Sequence, residues 1–190
     1  APPRHACLTF SGTWAPPGVG YPSDVAHSCA DVVEEIPVQS PWSFGPVPPG
    51  GITAPSYRES VHIGVEWAVG WILDNPHRTI ILGGYSQGAE AASRVYAEVL
   101  AGGRLAHLAA NLVCGYTFGN PARAADSHTV YGDPAPTPGY GIADWHLPDG
   151  MPWSWLDCAA AGDIYTSTPG GNTGVIMRDA YNLGIDLQLH

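Results

Sequence analysis

The residues with the clearest chemical potential form the segment Gly84-Tyr85-Ser86-Gln87-Gly88. It follows an apolar, β-branched run at 79–84 and opens an Ala-rich stretch at 87–101 with helical periodicity, so Ser86 should stand at a turn between a buried strand and a helix. Such a turn strains the serine backbone and lifts its Oγ above the sheet, where the amino end of the helix stabilises negative charge. The pattern therefore predicts that Ser86 is a nucleophile.

A serine nucleophile needs donors for the oxyanion that forms when it attacks a carbonyl. The backbone N–H of Gln87, the residue after the serine, is the first expected donor. The second should come from the loop after an early strand, which here contains Thr13 with a backbone N–H and a hydroxyl. An ordinary glycine turn capped by the threonine hydroxyl explains the same residues without a catalytic role.

The acid of such a triad follows the serine in the chain, and the histidine follows the acid. Asp163 fits this order because it ends an apolar stretch at a turn. Asp144, Asp149 and Asp157 are rival acids, and a turn cap is the structural alternative for Asp163.

The catalytic base is the difficulty, because His190 is the one histidine that follows Asp163. His190 ends a run with helical character at the end of the chain, where a side chain is poorly fixed. His128 and His146 lie in a long loop, but their use would break the usual order of the triad. We expect the base to lie in sequence beyond this segment; the alternative is a domain that has lost its base and binds without turnover.

The periodicity places alternating strands and helices along the chain. We predict strands at 6–10, 31–38, 79–84 and 111–118, and a short strand followed by a turn over 159–165. We predict helices at 56–73, 87–101 and 173–189, and a long loop at 119–150. Alternation of this kind indicates a mostly parallel sheet covered on both faces. Without an internal repeat or linker, residues 1–190 should form a single domain, which we expect to be a segment of a longer chain lacking its C-terminal part.

Composition excludes several classes of partner and cofactor. The net charge of −10, with 7 lysines and arginines, argues against a nucleic-acid partner. The longest apolar stretch, 61–73, contains His62 and Glu66 and is too short for a transmembrane segment. The 4 cysteines have no zinc or redox spacing, and both free thiols and disulfides are open to them. No metal or cofactor is expected.

Several stretches together resemble the cutinase-like serine esterases and, among them, the lysin B enzymes, which are mycolylarabinogalactan esterases of phages that infect mycobacteria. The stretches that carry the resemblance are 83–89 at the elbow, 12–14 with 19–22, 56–67, Phe118-Gly119-Asn120-Pro121-Ala122-Arg123, and Ala161-Gly162-Asp163-Ile164-Tyr165-Thr166. The resemblance implies an α/β-hydrolase fold, a three-layer sandwich around the sheet. It also implies Ser86 as nucleophile, Asp163 as acid, and Gln87 with Thr13 as the oxyanion-hole pair.

The implied substrate is a lipid ester of a cell-wall polysaccharide, cleaved through an acyl-enzyme. The implied setting is a phage-encoded protein in the host cytoplasm or the virion, either a free lysin or a tail-protein domain that contacts other tail proteins. Trp145, Trp153 and Trp155 could contact a lipid, although core or loop packing is the favoured interpretation. Two further functions stay open: a general cutinase or lipase-like carboxylesterase, and an inactive hydrolase-fold module that binds the cell wall or builds the tail.

Overall fold

A parallel sheet forms the centre of the protein. The computed structural model describes residues 4–129 and 139–188, with the side chains of 128 and 129 left undescribed. The strands are β1 (His5–Phe10), β2 (Val33–Pro37), β3 (Ile80–Tyr85), β4 (Leu112–Phe118), β5 (His128–Thr129) and β6 (Trp155–Cys158). They lie in the order β2-β1-β3-β4-β6-β5, and every described pair is parallel. The carboxyl ends of the strands therefore share one edge of the sheet.

Helices cover both faces of this sheet. They are α1 (Tyr21–Ser28), α2 (Tyr57–Asp74), α3 (Gln87–Val99) and α4 (Gly171–Ile185), with a short 3₁₀ helix at Ala106–Asn111. On one face, Ala26 of α1 packs in a small cluster with Cys7, Val33 and Ile81. On the other face, Leu8 and Leu82 belong to the main core with the buried residues of α2 and α3. This arrangement confirms the predicted three-layer α/β-hydrolase architecture with a parallel sheet.

Helix α2 follows from its sequence signals. The Ser56 hydroxyl accepts a hydrogen bond of 3.1 Å from the Glu59 N–H, which satisfies one of the free donors at the start of the helix. Val61, Val65 and other apolar residues at three- and four-residue spacing are buried against the core. The helix ends before Asn75, as the following Pro76 predicts. No helix in the described part of the chain is long and apolar enough to cross a membrane.

Three elements differ from the sequence-based predictions. Helix α1 was not among the predicted helices; its Pro22 lies in the first turn, where the missing N–H costs no hydrogen bond. The strand predicted within 159–165 was wrong, since β6 ends at Cys158, whereas the turn predicted after it is present at 161–166. The charged Asp157 made the segment of β6 look unlike a buried strand, whereas the apolar residues at 159–161 looked like one. The final helix also begins and ends earlier than predicted. The sequence left open whether the cysteines form disulfides, and in the structure all four are free thiols.

Candidate active site

Ser86 occupies a strained turn between β3 and α3. Its φ is +53° and its ψ is −117°, a backbone conformation that residues other than glycine rarely adopt, so the surrounding structure must enforce it. Its N–H donates a 2.9 Å hydrogen bond to the Phe118 carbonyl at the end of β4. The strand and helix predicted around Ser86 are both present, and the turn lies at the carboxyl edge of the sheet.

Two glycines allow strand and helix to pass at close range. A β-carbon on Gly84 would lie 2.6 Å from the Ala89 Cα, and one on Gly88 would lie 2.2 Å from the Phe10 carbonyl oxygen. Both obstacles are backbone atoms, which cannot move aside as a flexible side chain can. The spacing of the glycines around Ser86 is therefore a steric requirement of this turn.

Gly88→Ala is expected to lower the free energy of unfolding by about 3 kcal/mol, because the added methyl group overlaps the β1 backbone. Gly70→Ala is the matched control: Gly70 lies within α2, and a β-carbon there meets nothing within 4 Å. That change should raise stability by about 0.5–1 kcal/mol through the better helix propensity of alanine. Urea unfolding measures both, and equal midpoints for Gly88→Ala and wild type would contradict the steric argument.

Gln87 and Thr13 come together beside Ser86. The Gln87 side chain is fully buried, and its Nε2 donates to the Ser43 carbonyl at 2.9 Å and to the Thr13 Oγ1 at 3.4 Å. Because the Thr13 oxygen accepts this bond, its own hydrogen is available to another acceptor. The loop that carries Thr13 is held near the amino end of α3, as an oxyanion-hole donor requires.

Thr13→Val is expected to lower kcat of ester hydrolysis by about 10²-fold, since it removes one hydroxyl donor while keeping the shape of the side chain. Thr13→Ser keeps the hydroxyl and should stay close to wild type. Steady-state kinetics on a soluble ester measure both variants. If Thr13→Val keeps the wild-type kcat, then the hydroxyl does not stabilise the oxyanion.

Asp163 lies in the turn after β6, at the same edge of the sheet as Ser86. Its Oδ1 accepts a 2.9 Å hydrogen bond from the Tyr165 N–H, which fixes the carboxylate. A β-carbon on Gly119 would lie 3.7 Å from Asp163 Oδ2 and 3.8 Å from the ring of Tyr85, the residue before Ser86. The second carboxylate oxygen thus faces the side of the elbow.

The rival aspartates have other surroundings. Asp157 is fully buried within β6, where its Oδ1 accepts hydrogen bonds from the Thr117 hydroxyl and the Asn120 amide. Burial raises the pKa of Asp157 above its usual value, although these hydrogen bonds lower it. Asp144 is exposed and lies 3.7 Å from Arg58 of α2, and Asp149 is exposed. Among the four aspartates, Asp163 has the fixed and accessible carboxylate that the acid of a triad needs.

The structure does not bring a described histidine to Ser86 or Asp163. His5 begins β1, His77 precedes β3 and His107 precedes β4. They therefore lie at the amino edge of the sheet, opposite to Ser86. His146 Nε2 is 2.7 Å from the Gly141 carbonyl, and the ring packs on Tyr140. His190 lies outside the described residues, as does the side chain of His128.

No group of three or more histidine, cysteine, aspartate or glutamate side chains that could hold a metal ion occurs in the described part of the chain.

Trp155 is fully buried against Tyr96, and Trp145 packs on the Arg94 guanidinium, which agrees with core and loop packing. Trp153 is 77% exposed.

Comparison with solved structures identifies the fold. Lysin B from mycobacteriophage D29 matches with a TM-score of 0.69 and 19% identity, over 98% of this chain and 92% of that chain. A cutinase-like protein from Cryptococcus sp. matches with a TM-score of 0.64 and 17% identity, over 97% of this chain and 90% of that chain. The chain has the cutinase-like hydrolase fold.

Other structures with the cutinase-like fold agree. The catalytic core domain of acetyl xylan esterase from Trichoderma reesei matches with a TM-score of 0.63 and 19% identity, over 96% of both chains. No protein-family model matches this sequence, and no curated protein matches it in a sequence search. Tertiary structure therefore identifies the cutinase-like fold where overall sequence similarity is too low to do so.

Sequence reasoning missed two features of this cutinase-like site. Tyr21, Tyr85 and Phe118 form an aromatic cluster beside the elbow, with Tyr21 5.1 Å from Tyr85 and 5.6 Å from Phe118 between ring centroids. Their positions are far apart in sequence, so no local pattern joins them. Arg123 is fully buried near the loop that carries Asp163. The signal in the sequence that could have revealed it is an arginine among small and apolar residues.

Proposed function

We propose that this protein is a serine esterase that hydrolyses mycolate esters of the mycobacterial-type cell wall. The observation that carries the proposal is the backbone of Ser86, a strained serine between β3 and α3 at the carboxyl edge of the sheet. Strain of this kind is retained where the local structure serves chemistry. The esterases that share the fold, lysin B and acetyl xylan esterase among them, support ester hydrolysis as that chemistry.

In the proposed reaction, Ser86 Oγ attacks the ester carbonyl and forms a tetrahedral intermediate. The Gln87 N–H and Thr13 stabilise the oxyanion, the alcohol leaves, and water releases the acid from the acyl-enzyme. A base must take the Ser86 proton, give it to the departing alcohol, and then take a proton from the water that releases the acid. Asp163 would orient this base and stabilise its positive charge. That base is a histidine outside the described side chains, so His190→Ala and His128→Ala test whether this chain supplies it.

Apolar side chains near Ser86 and Asp163 support a long-chain acyl group. Tyr21 is 57% exposed and Tyr85 is 37% exposed on the elbow side, and Ile164 and Tyr165 are more than 40% exposed beside Asp163. Exposed apolar groups around a reaction centre gain free energy when an acyl chain covers them. The similarity to mycobacteriophage lysin B supports the choice of a mycolyl ester and of a phage setting, as a free lysin or a tail-protein domain acting at the cell envelope.

The test is reaction of the protein with a fluorophosphonate probe, followed by hydrolysis assays on matched esters. The probe requires an activated serine, so mass spectrometry should find the label on Ser86. Mycolyl-arabinogalactan should then be hydrolysed with a higher kcat/KM than p-nitrophenyl butyrate. Preference for the short ester would support the general carboxylesterase instead.

A second candidate function is an inactive module that binds the cell wall or builds the phage tail. The observation in its favour is that no described histidine hydrogen-bonds to Ser86 or Asp163. Absence of probe labelling together with retention on insoluble mycobacterial cell wall would favour this function over the esterase.

A further inference from the structure

Arg123 is a fully buried arginine in the segment that follows β4. Its Nε donates to the Thr166 carbonyl at 2.9 Å, and its Nη2 donates to the Gly139 carbonyl at 2.7 Å and to the Ser167 hydroxyl at 3.3 Å. Burial lowers the pKa of this guanidinium, against the opposing effect of the Asp157 and Asp163 charges. A buried cation is costly unless its donors are satisfied, and here backbone carbonyls and hydroxyls satisfy them.

The loop that Arg123 contacts is the loop that carries Asp163. The Asp163 carbonyl accepts hydrogen bonds from the Thr166 N–H at 3.2 Å and the Ser167 N–H at 2.9 Å, so these residues form one tight turn. A bond to the Thr166 carbonyl therefore restricts the position of Asp163 as well. Since the turn lies after the last residue of β6, the sheet alone does not fix it.

The hydrogen bonds around Arg123 also extend to α3, the helix that follows Ser86. The Asn120 amide donates to the Ser93 hydroxyl of α3 at 2.9 Å and to Asp157 of β6 at 3.0 Å. The Arg123 N–H in turn bonds to the Asn120 carbonyl at 3.3 Å. Buried hydrogen bonds thus connect α3, the helix that follows Ser86, with the loop that carries Asp163.

We propose that Arg123 is a positioning residue, which holds the Asp163 loop at a fixed place relative to the helix of Ser86. The proposal rests on the proposed catalytic roles of Ser86 and Asp163. Arginine suits this position because its planar fork directs several donors at once, whereas a lysine presents one compact ammonium group. A displacement of about 1 Å in a catalytic group can reduce turnover by about 10²-fold, so small movements of the loop matter.

The test compares Arg123→Lys and Arg123→Met with wild type and with Arg104→Met as matched control. Arg104 is also an arginine with two partners, Glu66 of α2 and Glu98 of α3, but its side chain is 43% exposed. We expect kcat per probe-titrated active site to fall by about 10–100-fold in the Arg123 variants, with KM within about twofold of wild type. Arg123→Lys should retain more activity than Arg123→Met, and the control should match wild type.

Hydrogen exchange provides a measurement that does not depend on turnover. Amides of residues 163–168 should exchange faster in Arg123→Lys than in wild type, while amides of β3 should not change. Wild-type kcat per active site and unchanged exchange at 163–168 in Arg123→Lys would overturn the proposal. If the wild-type protein neither reacts with the probe nor hydrolyses esters, the proposed function fails, and the exchange measurement still decides whether Arg123 holds the loop.

Discussion

Ser86→Ala is expected to lower kcat of ester hydrolysis by about 10⁵ to 10⁶-fold, because removal of a serine nucleophile abolishes the acyl-enzyme route. The substitution should leave the fold intact, since the Ser86 N–H rather than its side chain bonds to Phe118. Labelling by a fluorophosphonate probe should disappear with it. The measurement is steady-state hydrolysis of p-nitrophenyl butyrate, with circular dichroism to confirm the fold.

The matched control is Ser28→Ala, which removes a hydroxyl that bonds to the Asp24 carbonyl at the end of α1. Its exposed position lies away from the carboxyl edge of β3, so kcat and labelling should equal those of wild type. Full labelling of Ser86→Ala would show that another serine is the activated one, and it would overturn the assignment of the nucleophile.

Asp163→Asn is expected to reduce kcat by about 10⁴-fold while KM and the melting temperature change little. The asparagine keeps the shape and can still accept the hydrogen bond from the Tyr165 N–H. It loses the negative charge that would stabilise the imidazolium formed during the reaction. The loss should therefore appear in turnover rather than in folding or substrate binding.

Asp157→Asn is the informative comparison, because Asp157 was a rival acid in the sequence. Its carboxylate accepts hydrogen bonds from Thr117 and Asn120, and an asparagine oxygen can accept the same two. We expect the variant to keep kcat within about threefold of wild type, as its burial in β6 separates it from any substrate. A collapse of turnover in Asp157→Asn, with Asp163→Asn active, would exchange the two assignments.

Local sequence was sufficient for the elbow and for most of the sheet. The run before Gly84 is apolar and β-branched, and the stretch after Gly88 has helical spacing, so neighbouring residues alone predict the turn. Ser56 and Pro76 bounded α2 for the same reason, since caps and proline act within one turn of helix. The boundaries of β6 were wrong because burial of Asp157 depends on Thr117 and Asn120, which are distant in sequence.

The sequence narrowed the candidates for the catalytic acid, but it did not decide among them. Four aspartates that follow Ser86 were candidates for the acid, and the chain order accepts all four. Tertiary structure separates them: Asp157 points into the core, Asp144 lies near Arg58, and Asp163 stands in a turn beside Gly119. Burial and contacts of this kind depend on chain crossings that no local pattern encodes.

By itself, the sequence determined the turn at Ser86, its glycines and the alternation of strands and helices, because these follow from backbone sterics and periodicity over a few residues. Only the tertiary structure decided which aspartate faces the elbow, that Thr13 meets the Gln87 amide, and that Arg123 joins the Asp163 loop to the segment after β4. The physical reason is that hydrogen bonds between distant segments form once the parallel strands align their carboxyl ends. Ser86 is thus specified by its neighbours in sequence, whereas the groups proposed to assist it are specified by the fold.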